Sequence, residues 1–372
     1  MTHEDLFDIK EPKPIAIGTG LVALDVIINE DTELNPQLRA GGSCGNVLTI
    51  LSYLGWKSYP IARFREDVAA RTIIEDMRQW GVDTSLITQN NRGSTPIIVE
   101  KIKKTRSGEP IHRFAWTCPN CGSFLPRYRP VLAKDTPAII KKMPTPHVFY
   151  FDRITRSSIE IARESKKNGS LVFFEPCGIK DEKQFLECLG LSDIVKYSHE
   201  NMRHAQEIFQ KVDAPLEIET LGAEGLRFCL RKYESKEVKW KSMHPHPVSR
   251  LKDAAGAGDW CSAGIIHLLG NRGVESFEAA NESDIDKALS FGQALAAINC
   301  QFDGARGIMY SLSKVDFQTS ICDIWEKGRA LESMDEKEGE KVTTKLVCFC
   351  PECRRRLRNS KESEENTAYK DI

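Results

Sequence analysis

Residues 253–260 read DAAGAGDW. The octet follows an extended stretch, residues 238–248, and opens an apolar run from Trp260 to Leu269 whose spacing predicts a helix. Gly256 and Gly258 remove side chains where the backbone must turn. N–H groups at the helix start can therefore close on an anion, with the helix dipole in support. Asp259 stands at that anion site. A carboxylate there repels phosphate, but it makes chemical sense as the base that takes a proton from a hydroxyl attacking the phosphate. The plainer reading of the same residues is a helix N-cap behind a glycine turn.

Around the octet lies a chain of 372 residues, enough for one large domain or two ordinary ones, with 41% apolar residues to build a core. Lysine and arginine number 52 against 53 acidic residues, so no global charge favours nucleic acid or a membrane surface. No stretch approaches a membrane span. The opening MTHEDLFDIKEPKP is polar and acidic, unlike a signal peptide. Twelve cysteines without a secretion signal fit a reducing compartment, and a cytoplasmic protein is expected, its thiols free or metal-bound rather than disulfide-paired.

Residues 14–28, PIAIGTGLVALDVII, are expected to form a buried strand with Gly18 and Gly20 at its end. The Gly-rich turn AGGSCGN (40–46) leads into an amphipathic helix that stops at Gly55. SYPIAR and VAARTIIEDMRQWG continue a strand–helix alternation that predicts a parallel sheet covered by helices. Residues 94–115 break that rhythm as a hairpin with Ser107-Gly108 at its turn, followed by the Pro- and Cys-rich TCPNCGSFLPRYRP. Strand–helix units resume at 147–151, 156–168, 171–176 and 193–198. Residues 216–222 and 226–232 are strands around GAEG, and 284–300 is a further helix. From about residue 331 the chain is charged and poor in core residues, and its polar end has the composition of a disordered tail.

Four segments, GLVALD (20–25), GGSCGN (41–46), TLGAEG (220–225) and DAAGAGD (253–259), stand in the order of the ribokinase-like (PfkB) family of sugar and nucleoside kinases, and the chain resembles that family over about residues 14–312. The resemblance implies a doubly wound α/β kinase domain, residues 1–330, with a small β lid at about 26–40 and 90–130, followed by an extension, 331–372. It implies an ATP- and Mg²⁺-dependent transfer of a phosphoryl group to a hydroxyl of a sugar, nucleoside or related polyol. Under it Asp259 is the general base, and Gly256, Ala257 and Gly258 form the anion hole. Asp25, Gly41, Gly42, Asn46 and Asp152 hold the acceptor, and Thr220, Gly222, Gly225, Ser198 and Gln293 border the nucleotide. Asp253 binds a monovalent cation, K⁺, in some members, and lids in the family often pair two copies, so a homodimer through the lid is a further expectation. From the residues alone, Asp25 could equally cap a turn, Gly41-Gly42 could be a tight helix entry, and Asp152 could pair with Arg153 at the surface.

The chain departs from the family pattern on the nucleotide side. Ala254 replaces the usual Thr. Where the family has Asn-x-x-Glu, this chain has Ser198-His199-Glu200-Asn201. These changes and the extra C-terminal segment keep a second class in play: a sugar- or nucleotide-binding regulator on a kinase fold, with a metal-stabilised docking element.

Cys118-Pro-Asn-Cys121 and Cys350-Pro-Glu-Cys353 are both CPxC knuckles, each able to present two thiolates to one tetrahedral zinc. A single zinc joining all four would fold the C-terminal segment onto the lid region, with Cys348 as a spare ligand. The alternative is two unrelated surface pairs, redox-active or inert. The basic run Arg354 to Arg358, with acidic residues soon after it, reads as a solvated tail rather than a nucleic-acid contact. His112, Phe114 and Trp116 can stack on an acceptor or pack the lid.

Overall fold

The computed structural model describes residues 7, 9, 11–29, 36–105, 110–203, 213–231, 239–329 and 349–357. The turn at Ser107-Gly108, Cys348, Arg358 and the charged tail lie outside them, as do residues 30–35 of the expected lid.

Nine strands of the described residues form one sheet. In spatial order they are β13 (Trp240–Met243), β12 (Leu226–Leu230), β11 (Leu216–Thr220), β10 (Ile194–Ser198), β9 (Leu171–Phe174), β8 (Val148–Phe151), β1 (Ile15–Thr19), β4 (Lys57–Phe64) and β5 (Ile87–Gln89). Pairing is parallel from β5 to β11 and antiparallel through the β11–β12–β13 edge. The central strands VFYF and LVFF are buried along their whole length, as a sheet covered on both faces requires. On one face Phe151 stacks on Phe174 with ring centroids 4.5 Å apart.

The second sheet has four strands, in the order β3 (Gln37–Gly41), β2 (Ala23–Asn29), β6 (Ile97–Lys104) and β7 (Pro110–Ala115). It is the expected lid, and β6–β7 is the expected antiparallel hairpin. The expectation of one strand over 14–28 is wrong. β1 and β2 belong to different sheets, and the chain bends between them at Gly20, where φ is +149°. A β-carbon on Gly20 would fall 1.5 Å from Asp152 Oδ1, so the apolar run conceals a corner that only glycine can turn. The lid's outer side leaves Phe114 and Trp116 about half exposed and Phe124 more so.

Helices pack on both faces of the main sheet: α1 (Ser43–Tyr53), α2 (Val68–Gln79), α3 (Arg156–Lys167), α4 (Ala257–Leu269), α5 (Glu282–Asn299) and α6 (Lys314–Lys327). Caps set several of the starts. Asp67 accepts from Ala70 N–H, Thr155 and Ser158 cap reciprocally, and Asn281 pairs likewise with Asp284. α6 lies in a stretch that carried no motif. No helix of the described residues is long and apolar enough to cross a membrane.

α4 and α5 approach most closely where glycines face each other. A β-carbon on Gly264 would sit 2.7 Å from Gly292 Cα, and one on Gly292 would sit 2.6 Å from the Cys261 carbonyl oxygen. This crossing holds the octet's helix against the core. Gly292→Val is expected to push the helices apart and cost about 1–3 kcal/mol, the usual range for overpacking. Urea denaturation of the two proteins checks it.

Candidate active site

The parallel strands end on one side of the sheet, and chemistry-bearing residues gather there. Asp152 follows β8, Glu175 follows β9, and Lys196 lies in β10. β1 pairs with β4 on one side and β8 on the other, so Gly20 and Asp152 lie at the point where the sheet's winding reverses, the usual place for a ligand crevice in open α/β sheets.

The octet closes over this crevice. Gly256 is the N-cap of α4, with φ +73°, and a β-carbon there would strike the Ala305 carbonyl oxygen at 2.2 Å. Ala257 N–H donates to Ala254 O at 3.2 Å and Trp260 N–H to Gly256 O at 2.9 Å. Gly258 and Asp259 therefore supply the first-turn N–H groups that the helix itself cannot satisfy. Beside them stands a pair that the motifs did not reveal. Lys196, 1% exposed, is ion-paired with Glu175, and a β-carbon on Gly258 would come within 3.6 Å of its Nζ. Ser262 Oγ (2.5 Å) and Tyr150 OH (3.0 Å) donate to the other Glu175 oxygen.

Asp259 lies in the first turn of α4 and accepts from Asn46 Nδ2 at 2.8 Å. Loss of water and repulsion from Glu175 raise its carboxyl to about 8, against the pull of Asn46 and Lys196. Asn46, on α1, is held in turn. Its Oδ1 accepts from Arg306 Nε at 3.2 Å, and that fixes which end of the amide faces Asp259. Arg306 is 2% exposed. Its Nη2 also donates to Ala40 O and, at 2.7 Å, to Asp76 Oδ2.

Asp25, on β2, projects into the same region. Burial raises it to about 7, opposed by Arg306 and by a hydrogen bond from Gly42 N–H. Gly41 is required here, because a β-carbon on it would overlap Asp25 Oδ2 at 1.8 Å. Gly42, at φ +79°, would drive a β-carbon to 2.5 Å from Leu21 O. Asp152 is 1% exposed; its Oδ1 accepts from Leu21 N–H at 2.9 Å and its Oδ2 from Arg153 at 2.7 Å. It does pair with Arg153, but in the cleft wall rather than at the surface. Burial raises it to about 6, against the pull of Arg153.

Asp253 is buried beside Gly304. Its two oxygens accept from Ala255 N–H (2.9 Å) and Gly304 N–H (2.8 Å). Buried Glu100 of lid strand β6 is hydrogen-bonded to it; burial and the Asp253 charge push the Glu100 carboxyl far up, so it stays protonated and links lid to body.

On the far side, Thr220 ends β11 and reaches Tyr197 O at 3.4 Å. Gly222 (φ +62°) and Gly225 (φ +92°) turn the chain into β12. Ser198 ends β10, and Gln293 Nε2 donates to His244 O at 3.2 Å. His199 and Arg227 both pair with Glu219, so the altered 198–201 segment is tied to the β11–β12 turn.

The two cysteine knuckles also meet. All four ligand sulfurs of Cys118, Cys121, Cys350 and Cys353 lie within 4.8 Å of one another.

No family model matches the chain. It is 23% identical to ketohexokinase of Mus musculus over 319 residues, which takes in 78% of this chain and 97% of that one. It is 23% identical to ribokinase of Haemophilus influenzae over 290 residues, 74% of this chain and 85% of the relative. Among solved structures, fructokinase of Xylella fastidiosa superposes with a TM-score of 0.62 at 17% identity, covering 85% of this chain and 99% of its own. The fold is that of the ribokinase-like (PfkB) kinases.

Within the ribokinase-like frame, this chain's relatives and structural neighbours are sugar and nucleoside kinases, which supports a phosphotransferase. Arg306, Glu175 and Lys196 are candidate-site residues that sequence reasoning missed. The signal for the last two was a charge inside an otherwise apolar strand run, LVFFEP and DIVKYS. Arg306 carried only its position in the glycine-bounded GARG. Its role predicts a large effect. Arg306→Met would strand Asp76 without its guanidinium partner and cost about 3–5 kcal/mol, as removal of one member of a buried pair does. Equilibrium unfolding in urea measures it.

Proposed function

We propose that the chain is an ATP-dependent kinase for a hydroxyl of a sugar, nucleoside or related polyol. The observation that carries this reading is the bond between Asn46 Nδ2 and Asp259 Oδ2, which aims a carboxylate with a raised proton affinity at the mouth of a helix N-terminus. A base has to hold a proton yet release it near neutral pH, and a carboxyl of about 8 meets that requirement. The acceptor lies under the lid against Asp25, Asn46 and Asp152. Its hydroxyl gives a proton to Asp259 as the γ-phosphoryl group moves in line past Gly258. First-turn N–H groups and the Lys196 ammonium take up the charge that spreads over the phosphoryl oxygens. Mg²⁺ would supply charge neutralisation for the donor phosphates, and the nucleotide lies along Thr220, Gly222, Gly225, Ser198 and Gln293. The fructokinase neighbour's bound ATP is consistent with ATP as donor. Which sugar or nucleoside is taken would be found by a coupled ADP-release assay over a panel of acceptors.

Asp259→Asn keeps the shape and the Asn46 contact but removes the base. It is expected to lower kcat at least about 100-fold, the lower bound for a positioned general base, with acceptor KM little changed. Near-wild-type kcat would refute the assignment.

The pH dependence has a definite sign. Only ionised Asp259 can accept the proton, so kcat/KM for the acceptor is expected to rise through neutral pH and level off above about 8. Glu175→Gln removes the repelling carboxylate and leaves Lys196 to favour the charged form. The acid limb should then move to lower pH. An unmoved or upward-shifted limb in the variant would show that another group titrates.

A further inference from the structure

The sulfurs of the two knuckles are paired across the fold. Cys118 Sγ lies 3.8 Å from Cys353 Sγ, and Cys121 Sγ lies 3.7 Å from Cys350 Sγ. A tetrahedral zinc with Zn–S bonds of about 2.3 Å places its ligand sulfurs about 3.8 Å apart, since a tetrahedron's edge is about 1.63 times its centre-to-corner distance. A disulfide would need about 2.05 Å. The two contacts therefore have the length of tetrahedral edges, and the remaining pairs stay within 4.8 Å.

The surroundings fit a closed tetrathiolate. Cys118, Cys350 and Cys353 are 4%, 1% and 7% exposed, and Phe349 (3%) packs beside them. Each knuckle turns its backbone toward sulfur or closes on itself. Cys353 N–H donates to Cys350 Sγ at 3.5 Å, and Cys118 is bracketed by its N–H to Ser123 O (2.8 Å) and by Gly122 N–H to its own carbonyl (2.9 Å). Gly122 sits at φ +71°, the left-handed turn that lets the first knuckle fold back. Four thiolates on one Zn²⁺ carry a net charge of −2. The basic run now has a place: Arg356, paired with Glu352, lies within electrostatic reach of Cys121 and Cys353. Its neighbours Arg354 and Arg355 continue the same helical stretch, 351–357.

We infer that Cys118, Cys121, Cys350 and Cys353 form a structural zinc site that fastens the C-terminal segment, residues 349–357, to the end of the lid. The first knuckle leaves β7 through the Thr117–Phe124 bridge and re-enters the lid where Ile97 N–H donates to Pro126 O at 3.1 Å. Residues 128 and 129, just beyond it, line a cavity with Thr19, Gly20 and Arg63. The metal thus holds in place the segment that leads into the wall of this cavity. Four protein ligands leave no open position, so the metal has no part in the transfer chemistry.

The test is independent of the kinase reading. The full chain, purified under reducing conditions without added chelator, is expected to hold about one zinc per chain by mass spectrometry of the metal. Replacing zinc with Co²⁺ should give the intense visible bands and thiolate-to-metal charge transfer of a tetrahedral four-sulfur site. The double variant Cys350→Ser/Cys353→Ser should lose the metal, and limited proteolysis should then release the C-terminal segment while the remaining core stays resistant. If that variant fails to fold, the Co²⁺ spectrum of the wild type still decides. Less than about half a zinc after dialysis against ZnCl₂, a pale octahedral cobalt spectrum, or a mass four hydrogens low that marks two disulfides, would each overturn the inference.

Discussion

One side-chain amide joins the two halves of the crevice. Asn46 takes a hydrogen bond from Arg306 through its oxygen and gives one to Asp259 through its nitrogen. The direction is forced, because a guanidinium can only donate and an ionised carboxylate can only accept. Arg306 is in turn fixed by Ala40 O and Asp76, and Tyr310 OH donates to the other Asp76 oxygen at 2.7 Å. The orientation of Asp259 thus depends on α1, on α2 through Asp76, and on the loop that follows α5. Arg306 comes from a sequence position more than two hundred residues from the other two. The packing of the domain exists, in this sense, to bring one amide between two charges.

The crevice is built from acids that burial destabilises. Asp25, Asp152 and Asp259 all have raised proton affinities, chiefly because burial strips their water. As pH rises from about 4 to 8, the unfolded chain releases these protons before the folded chain does, so each acid subtracts from stability over that range. The apolar core and the close α4–α5 crossing must offset that cost. Local glycines are a second concession, since Gly20, Gly41 and Gly256 let backbone and carboxylates approach at distances no β-carbon allows.

The motif residues were legible in the sequence because their reasons are local. A glycine turn before an apolar helix, a carboxylate after a strand and a Gly-Gly helix entry each leave a signature within eight residues. The lid hairpin and the alternation of strands and helices were legible for the same reason. What escaped depends on distant partners. Nothing near Arg306 announces that Asp76 and Asn46 await it, and nothing near Glu100 announces Asp253. The corner at Gly20 was hidden because both strands beside it are apolar, and the pattern does not record which sheet a strand joins. The cysteine knuckles fall between these cases: the sequence shows two half-sites, and only the fold shows that they face each other.

The corner at Gly20 has a mechanical side. β1 belongs to the main sheet and β2 to the second sheet, and the chain passes from one to the other through residues 20–22. Leu21 N–H, in the middle of that span, is held by Asp152 Oδ1. The corner and the candidate crevice therefore share one carboxylate. A group that competes for the Asp152 oxygens would have to displace the Leu21 N–H that fixes the corner, and by reciprocity the corner's geometry would alter how strongly that group is held.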